Sequence, residues 1–377
     1  MRQILTKLLK PGGTIGIIGG GQLGQMMALS AKEMGFFVGV LDPTKDCPAS
    51  QVADFSITAE YDNEAAIQEL ANQSDVVTYE FENVDAAVLE KLVSKDKLPQ
   101  GTELLVISQN RQNEKEFLES LKLPIAPFKI VKNATDLQSA VDAIGFPSVL
   151  KTCTGGYDGK GQVVLKAEQD ILEATELLGQ QTCVLESWIP FEKEVSVIVS
   201  GTTDENYEIF PIAENSHKNN VLHQSIVPAS ISSTCEEKAK ALAFLVAKAL
   251  KIKGTVTIEM FVTEAEEIII NEIAPRPHNS GHYSIEACNV SQFDTHIRGI
   301  CGWPLPKIYQ HLPVIMLNLL GDEATKAEAE IINKPDWFFH YYGKKEIKAG
   351  RKMGHITILT ENVAHSLKEI DTTNIWK

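Results

Sequence analysis

Residues 255–282 read TVTIEMFVTEAEEIIINEIAPRPHNSGH, and the fold turns on how they pair. Two runs rich in β-branched residues, Thr255–Val262 and Ile268–Ile273, flank the polar stretch 263–267, which predicts an antiparallel hairpin. A turn centred between Ala265 and Glu266 sets Glu259 directly opposite Glu272. Residues so paired share a face, with Cβ atoms about 4.5–5.5 Å apart. Their apolar neighbours Ile258, Ile270 and Ile273 make mutual repulsion costly, so a counter-charge is expected. A hard divalent cation with oxygen ligands supplies it, and Mg²⁺ bridging nucleotide phosphates fits best. A one-residue register shift, or a solvent-facing pair, would instead leave two ordinary surface glutamates. Beyond Glu272, two stiffening prolines frame Arg276 and His278, with Asn279 and His282 close behind. A guanidinium beside a metal carboxylate suits a phosphoryl or carboxyl group in transfer.

Upstream, residues 154–162 (TGGYDGKGQ) lie between predicted strands Ser148–Thr152 and Gln162–Lys166. A Walker loop needs Gly at 154 and Ser or Thr at 161, where this chain has Thr154 and Gly161. Its second flank is also a strand, not a helix. A glycine hairpin in that setting can fold over nucleotide phosphates as a lid, with Lys151 beside it. An ordinary surface hairpin is the bland alternative, but it has no need of four glycines in seven residues. Strand Phe128–Val131, helices Asn110–Leu121, Thr135–Ala143 and Ile171–Leu178, and strand Cys183–Glu186 complete this module. Antiparallel strands Val195–Ser200 and Glu208–Ala213 follow, then an amphipathic helix, Glu236–Leu250, before the 255–282 hairpin.

The first 110 residues alternate strand and helix: Thr14–Ile18, Gln25–Met34, Phe36–Leu41, Ala65–Ala71, Val76–Tyr79, Ala86–Leu92 and strand Leu104–Ile107. This pattern predicts a parallel, doubly wound sheet. Gly19, Gly21 and Gly24 satisfy G-x-G-x-x-G between strand and helix, and Asp42 ends the next strand. A nicotinamide or flavin, a substrate phosphate or ribose, or mere helix–strand packing would each explain those glycines.

Composition narrows the partners. Among 377 residues, 44% are hydrophobic and 23% charged, a globular balance. Acidic residues outnumber basic ones by 50 to 35, a net charge of −15, which disfavours nucleic acid and anionic membranes. It does not exclude a small anion in a locally basic cleft. No apolar run is long enough to span a bilayer, and the first ten residues lack a signal-peptide core. Cysteines 47, 153, 183, 235, 288 and 301 form no C-x-x-C pair and predict neither disulfides nor zinc. The expected compartment is the cytoplasm.

Taken in order, the N-terminal Rossmann-like region, the glycine hairpin, a hinge at Glu186, Ser187, Trp188 and Ile189, and the pair Glu259 and Glu272 resemble the ATP-grasp superfamily. Within it, GGGQLG at 19–24, GYDGKGQ at 156–162, NEIAPRPHNSGH at 271–282 and KEIKAGRKMGH at 345–355 resemble the 5-(carboxyamino)imidazole ribonucleotide synthases. The likeness spans nearly the whole chain. It implies an α/β ATP-grasp fold: a Rossmann-like unit at 1–110, a lid module at 111–186, a core with an antiparallel sheet at 187–302, and a small segment, 303–377, completing the substrate site.

The resemblance also implies roles. Arg111 and Lys151 would touch ATP phosphates, with Gly156, Tyr157, Asp158, Gly159, Lys160, Gly161 and Gln162 closing over them. The 186–189 hinge would meet adenine, Glu194 the ribose, and His217 would lie near the nucleotide. Asn271 and Glu272 would complete the ATP site, while Glu259 and Glu272 hold Mg²⁺. Ala274 stands where many relatives carry Asn. Gln22, Leu23, Glu80, Arg351 and Lys352 would bind the ribonucleotide, and a homodimer is implied.

The implied reaction is ATP- and bicarbonate-dependent carboxylation of 5-aminoimidazole ribonucleotide through carboxyphosphate, with Arg276, His278 and Lys345 stabilising the developing charge. The alternatives are a formate-dependent glycinamide ribonucleotide formyltransferase of the same superfamily, an NAD-linked oxidoreductase, and a non-catalytic nucleotide sensor.

Overall fold

A computed structural model describes residues 8–156, 160–179 and 181–377. Among these, the strands form three sheets. The first is parallel, ordered Phe55–Thr58, Phe37–Asp42, Thr14–Ile18, Val76–Tyr79. Parallel sheets are covered on both faces, so their strands read as nearly unbroken apolar runs. Helix Gln22–Glu33 covers one face, packing Leu23, Met26 and Met27 with Ile15, Ile17, Val38 and Val40.

The predicted strand Leu104–Ile107 is a helix, Glu103–Ser108. Four apolar residues fit either period, and the sheet itself decides against a strand. On the edge where a fifth strand would add, the Val77 N–H already donates to the Lys97 carbonyl (2.6 Å).

The second sheet is antiparallel, ordered Phe128–Val131, Cys183–Ser187, Ser148–Thr152, Gln162–Leu165. Helices Ala134–Ile144 and Ile171–Leu178 bury Leu137, Val141, Ala174 and Leu178 against Leu150 and Leu185.

The third sheet is antiparallel and nine-stranded. It runs from Ile268–Ala274 through Gly254–Thr263, Phe191–Gly201, Ala213–Lys218, Val221–Val227, Val314–Leu320 and Lys352–Leu359 to Trp337–Tyr341, and Tyr207–Ile209 pairs on its flank. Helix Ser233–Ala249 buries Cys235, Ala239, Ala243 and Val246 against Val195, Val197, Val199, Val256 and Ile258.

Two sequence expectations change here. The single strand Glu208–Ala213 is divided between Tyr207–Ile209 and Ala213–Lys218, with Pro211, which has no N–H, in the gap. Strand Val221–Val227 was not anticipated, because His223, Gln224 and Ser225 interrupt its apolar pattern. It bridges the core to the C-terminal strands, so residues 314–359 continue the core sheet. Through that continuity Lys352 reaches the central cavity. All six cysteines are buried and unpaired. No helix among the described residues is long and apolar enough to cross a membrane.

Candidate active site

Glu259 pairs directly with Glu272, by a route the sequence does not reveal. Near the turn the register is Val262↔Ile268, one residue tighter than a turn between Ala265 and Glu266 gives. A bulge then places Met260 opposite Ile270 and Glu259 opposite Glu272, leaving Asn271 as the extra residue. The bulge brings consecutive residues Asn271 and Glu272 to one cavity, with Glu259 beside them. Burial first, and Glu272 second, push the Glu259 carboxyl up to about 8. The buried Asn271 Oδ1 has no hydrogen-bond partner among the described residues. An oxygen-rich, charge-starved corner of this kind fits a hard cation. Among the described residues no three His, Cys, Asp or Glu side chains are grouped to enclose a metal alone. A cation here would complete its shell from phosphate and water, as Mg²⁺ does.

The cavity measures about 460 Å³. Its lining includes Arg111, Lys151, Gly156, Lys160, Gln162, Glu186, Ser187, Trp188, Ile189, Glu194 and His217. Tyr157, Asp158 and Gly159 lie outside the described residues. Gly161 does not line the cavity; its carbonyl accepts the Thr152 N–H (2.8 Å), and its φ of +74° favours glycine. Arg111 Nη1 donates to Glu272 (3.4 Å), and Lys151 Nζ to Glu186 (3.2 Å). Burial alone would raise the Glu186 carboxyl, but Lys115, Lys151 and Arg111 together bring it down to about 2. Burial is the largest influence on His217 and disfavours its charge, yet the hydrogen bond to Glu194 and the charges of Glu194 and Glu259 together hold its pKa above the usual value. In the hinge, the Ser187 and Trp188 N–H groups are taken by Pro127 and Pro147 carbonyls.

Arg276 and His278 line the same cavity. Arg276 Nε donates to Glu82, and His278 Nε2 lies 3.1 Å from Glu259 Oε1. Lys352 lines the same wall. Lys345 does not join them, which corrects its expected place beside Arg276: its side chain is 74% exposed and pairs with Asp46. The loop that carries it turns outward, and the following strand delivers Lys352 instead.

Gln22, Glu80, Lys344, Arg351 and Lys352 make a neighbouring cluster, which Glu80 joins to Arg276 electrostatically. Gln22 Oε1 accepts from Lys344 Nζ (2.8 Å). Burial first, then Arg351, lowers Lys344 to about 8. Leu23 is buried in the N-terminal core.

The glycine fingerprint is not a dinucleotide site. Glu80 accepts the N–H groups of Gly21 (3.0 Å) and Gly24 (2.8 Å), and Asp42 accepts that of Gly20 (2.7 Å). Donors a pyrophosphate would need are spent on carboxylates, which would also repel it. The glycines leave room for Glu80: a Cβ on Gly21 would sit 2.4 Å from its Oε1.

Comparison with known proteins agrees with the fold. Family models match a ribonucleotide synthetase preATP-grasp domain at residues 13–109 and an ATP-grasp domain at 116–293. A phosphoribosylaminoimidazole carboxylase C-terminal domain matches at 314–369. The chain is 50% identical over 370 residues to an N5-carboxyaminoimidazole ribonucleotide synthase of Bacillus subtilis (strain 168), covering 98% of this chain and 97% of that one. The chain belongs to the N5-carboxyaminoimidazole ribonucleotide synthase family.

It is therefore an ATP-dependent ligase with the ATP-grasp fold. Solved members of this synthase family superpose closely. One from Staphylococcus aureus, complexed with ADP, has a TM-score of 0.93 at 45% identity, covering 97% of this chain and 98% of that one. One from Aspergillus clavatus, in complex with ADP and 5-aminoimidazole ribonucleotide, has a TM-score of 0.89 at 34% identity, covering 95% and 96%.

Sequence reasoning missed Glu82, Glu114 and Lys115 in this member of the synthase family. Glu114 Oε1 accepts the Ile273 N–H (2.6 Å), and the fully buried Lys115 donates to the Asn271 carbonyl (3.1 Å) and pairs with Glu186 (3.3 Å). For Glu114 and Lys115 the sequence signal is spacing, since 111, 114 and 115 share one helix face; Glu82 has none.

Proposed function

We propose that this chain carboxylates the exocyclic amine of 5-aminoimidazole ribonucleotide, using ATP and bicarbonate, to give 5-(carboxyamino)imidazole ribonucleotide, ADP and phosphate. The observation that carries the reading is one cavity lined by the paired Glu259 and Glu272, by Arg111 and Lys151, and by Arg276 and His278, with Arg111 touching Glu272 and His278 touching Glu259.

Arg111, Lys151 and Lys160 bind the ATP phosphates, with residues 156–162 folding over them. Ile189 offers its N–H to the adenine edge, Glu194 accepts from the ribose hydroxyls, and His217 orients Glu194. Asn271 and Glu272 close the phosphate end. Mg²⁺ held by Glu259 and Glu272 would neutralise charge on the β- and γ-phosphates. Gln22, Leu23, Glu80, Arg351 and Lys352 shape the ribonucleotide site, with Lys344 as a further cation.

A bicarbonate oxygen attacks the γ-phosphorus, and the bond to the β–γ bridging oxygen breaks, giving carboxyphosphate and ADP. Arg276, His278 and Lys352 stabilise the charge that builds on the transferring group. Carboxyphosphate divides into CO₂ and phosphate, and the amine adds to CO₂ with loss of one proton. Closure of the lid keeps water from the intermediate. We further propose the division 1–110, 111–186, 187–302 and 303–377, a homodimer, and a cytoplasmic location.

¹⁸O-bicarbonate tests the chemistry. Label is expected in inorganic phosphate, dependent on ATP and the ribonucleotide. Unlabelled phosphate alongside product formation would overturn the carboxyphosphate route.

A further inference from the structure

We propose that a buried chain of polar side chains, Ser225, Asn215, Ser196 and Ser280, fixes the ring of His278 as the tautomer protonated on Nε2. These four are positioning residues for the reaction. The inference rests on His278 facing the transferring group, as read above.

The direction of each bond follows from what each atom can do. Asn215 Oδ1 can only accept, so Ser225 Oγ donates to it (2.7 Å). Asn215 Nδ2 can only donate, and it donates to Ser196 Oγ (3.0 Å). Ser196 passes its own proton to Ser280 Oγ (2.6 Å). The Ser280 hydroxyl proton is then left for His278 Nδ1, 2.9 Å away. The Ser280 backbone N–H points to the same nitrogen (3.4 Å). A ring nitrogen that receives two donors carries no proton. The proton of the ring is therefore on Nε2, 3.1 Å from Glu259 Oε1.

Ser225 and Ser280 are fully buried, Ser196 is 1% exposed and Asn215 9%, so water does not compete along the chain. The first three stand on adjacent strands, Val221–Val227, Ala213–Lys218 and Phe191–Gly201, and the chain crosses the sheet beneath the site. The His278 main chain is held separately: its N–H donates to Gln292 Oε1 (2.9 Å), and its carbonyl accepts from Gln292 Nε2 (2.7 Å). The backbone thus has its own anchor, and the distinct effect of the chain falls on the ring proton. With Nδ1 occupied from behind, His278 offers the transferring group a hydrogen-bond donor rather than a base.

¹⁵N NMR of histidine-labelled protein, with His278 assigned through His278→Gln, reads the tautomer directly. The expected spectrum has a protonated Nε2 and an unprotonated Nδ1. Asn215→Asp exchanges the one donor for an acceptor and turns the Ser196 hydroxyl around. Ser280→Ala removes the last link. Each is expected to shift the His278 nitrogens toward the other tautomer and lower kcat by about 10–100-fold, the usual cost of losing a histidine's orienting partner. The KM for ATP should hold in both, which separates positioning from collapse of the nucleotide site. A wild-type proton on Nδ1, or both variants keeping tautomer and kcat, would overturn the proposal. Full turnover by His278→Gln would instead remove His278 from the reaction while leaving its tautomer as measured.

Discussion

Arg276 and Glu82 are separated by 194 positions yet joined side chain to side chain, so the guanidinium is aimed before any substrate arrives. Arg276→Ala is expected to lower kcat by about 10²–10³ while the KM for ATP changes little, measured by phosphate release with and without ribonucleotide. At the basic tail the expectation is an ordering. Lys352→Ala should cost far more turnover than Lys345→Ala, whose exposed pair with Asp46 is screened by solvent and contributes little. Equal losses would return Lys345 to the site. Glu259, Glu272, Arg276 and His278 were legible because a single hairpin and its exit carry all four. Glu82 was not, because it follows strand Val76–Tyr79 of the first sheet, and nothing local marks an acid as inward-facing; Lys352 was expected only at the ribonucleotide, and lies across the core sheet from the hairpin.

Helix Arg111–Ser120 shows the same limit one level up. Its sequence, RQNEKEFLES, reads as a surface helix, yet Glu114 and Lys115 are buried. The helix docks polar face inward because Lys115 is compensated by Glu186 and the Asn271 carbonyl. Glu186→Gln leaves that ammonium without its counter-charge and is expected to destabilise by about 3–5 kcal/mol in urea unfolding. The pH dependence has a definite sign. The Glu186 pKa falls from 4.5 to about 2 on folding, so its contribution is complete above 4.5 and is lost as pH falls toward 2. In Glu186→Gln that part of the acid slope should vanish. An unchanged slope would mean that other carboxylates carry it. Strand Val221–Val227 escapes the sequence reading and helix Glu103–Ser108 reads there as a strand for a related reason: their neighbours, rather than their own apolar pattern, decide their conformation.

Across the whole molecule the acid-rich cavity imposes a cost that ligand should relieve. Burial and Glu272 raise Glu259 to about 8 and Glu114 to about 7, from 4.5 when unfolded. Stability from these groups is complete below pH 4.5 and is lost as pH rises through 7 and 8. Without ligand, the unfolding free energy should therefore fall by roughly a few kcal/mol across that range. Mg²⁺ with ADP should raise Tm more at pH 8 than at pH 5, by thermal unfolding. Equal shifts would argue that the cation does not meet Glu259. The net charge of −15 foretold none of this, because it describes the surface while the site sets local cations against local acids. By itself the sequence determined the four strands of the second sheet, the hairpin strands around 255–262 and 268–273, and the adjacency of Arg276 and His278, since each is written in short-range periodicity or adjacent residues. Only the tertiary structure decided the Asn271 bulge, the Glu82 and Lys115 pairings, the exchange of Lys345 for Lys352, and the chain behind His278. Those depend on contacts between distant segments, where burial and hydrogen-bond satisfaction act on the folded whole.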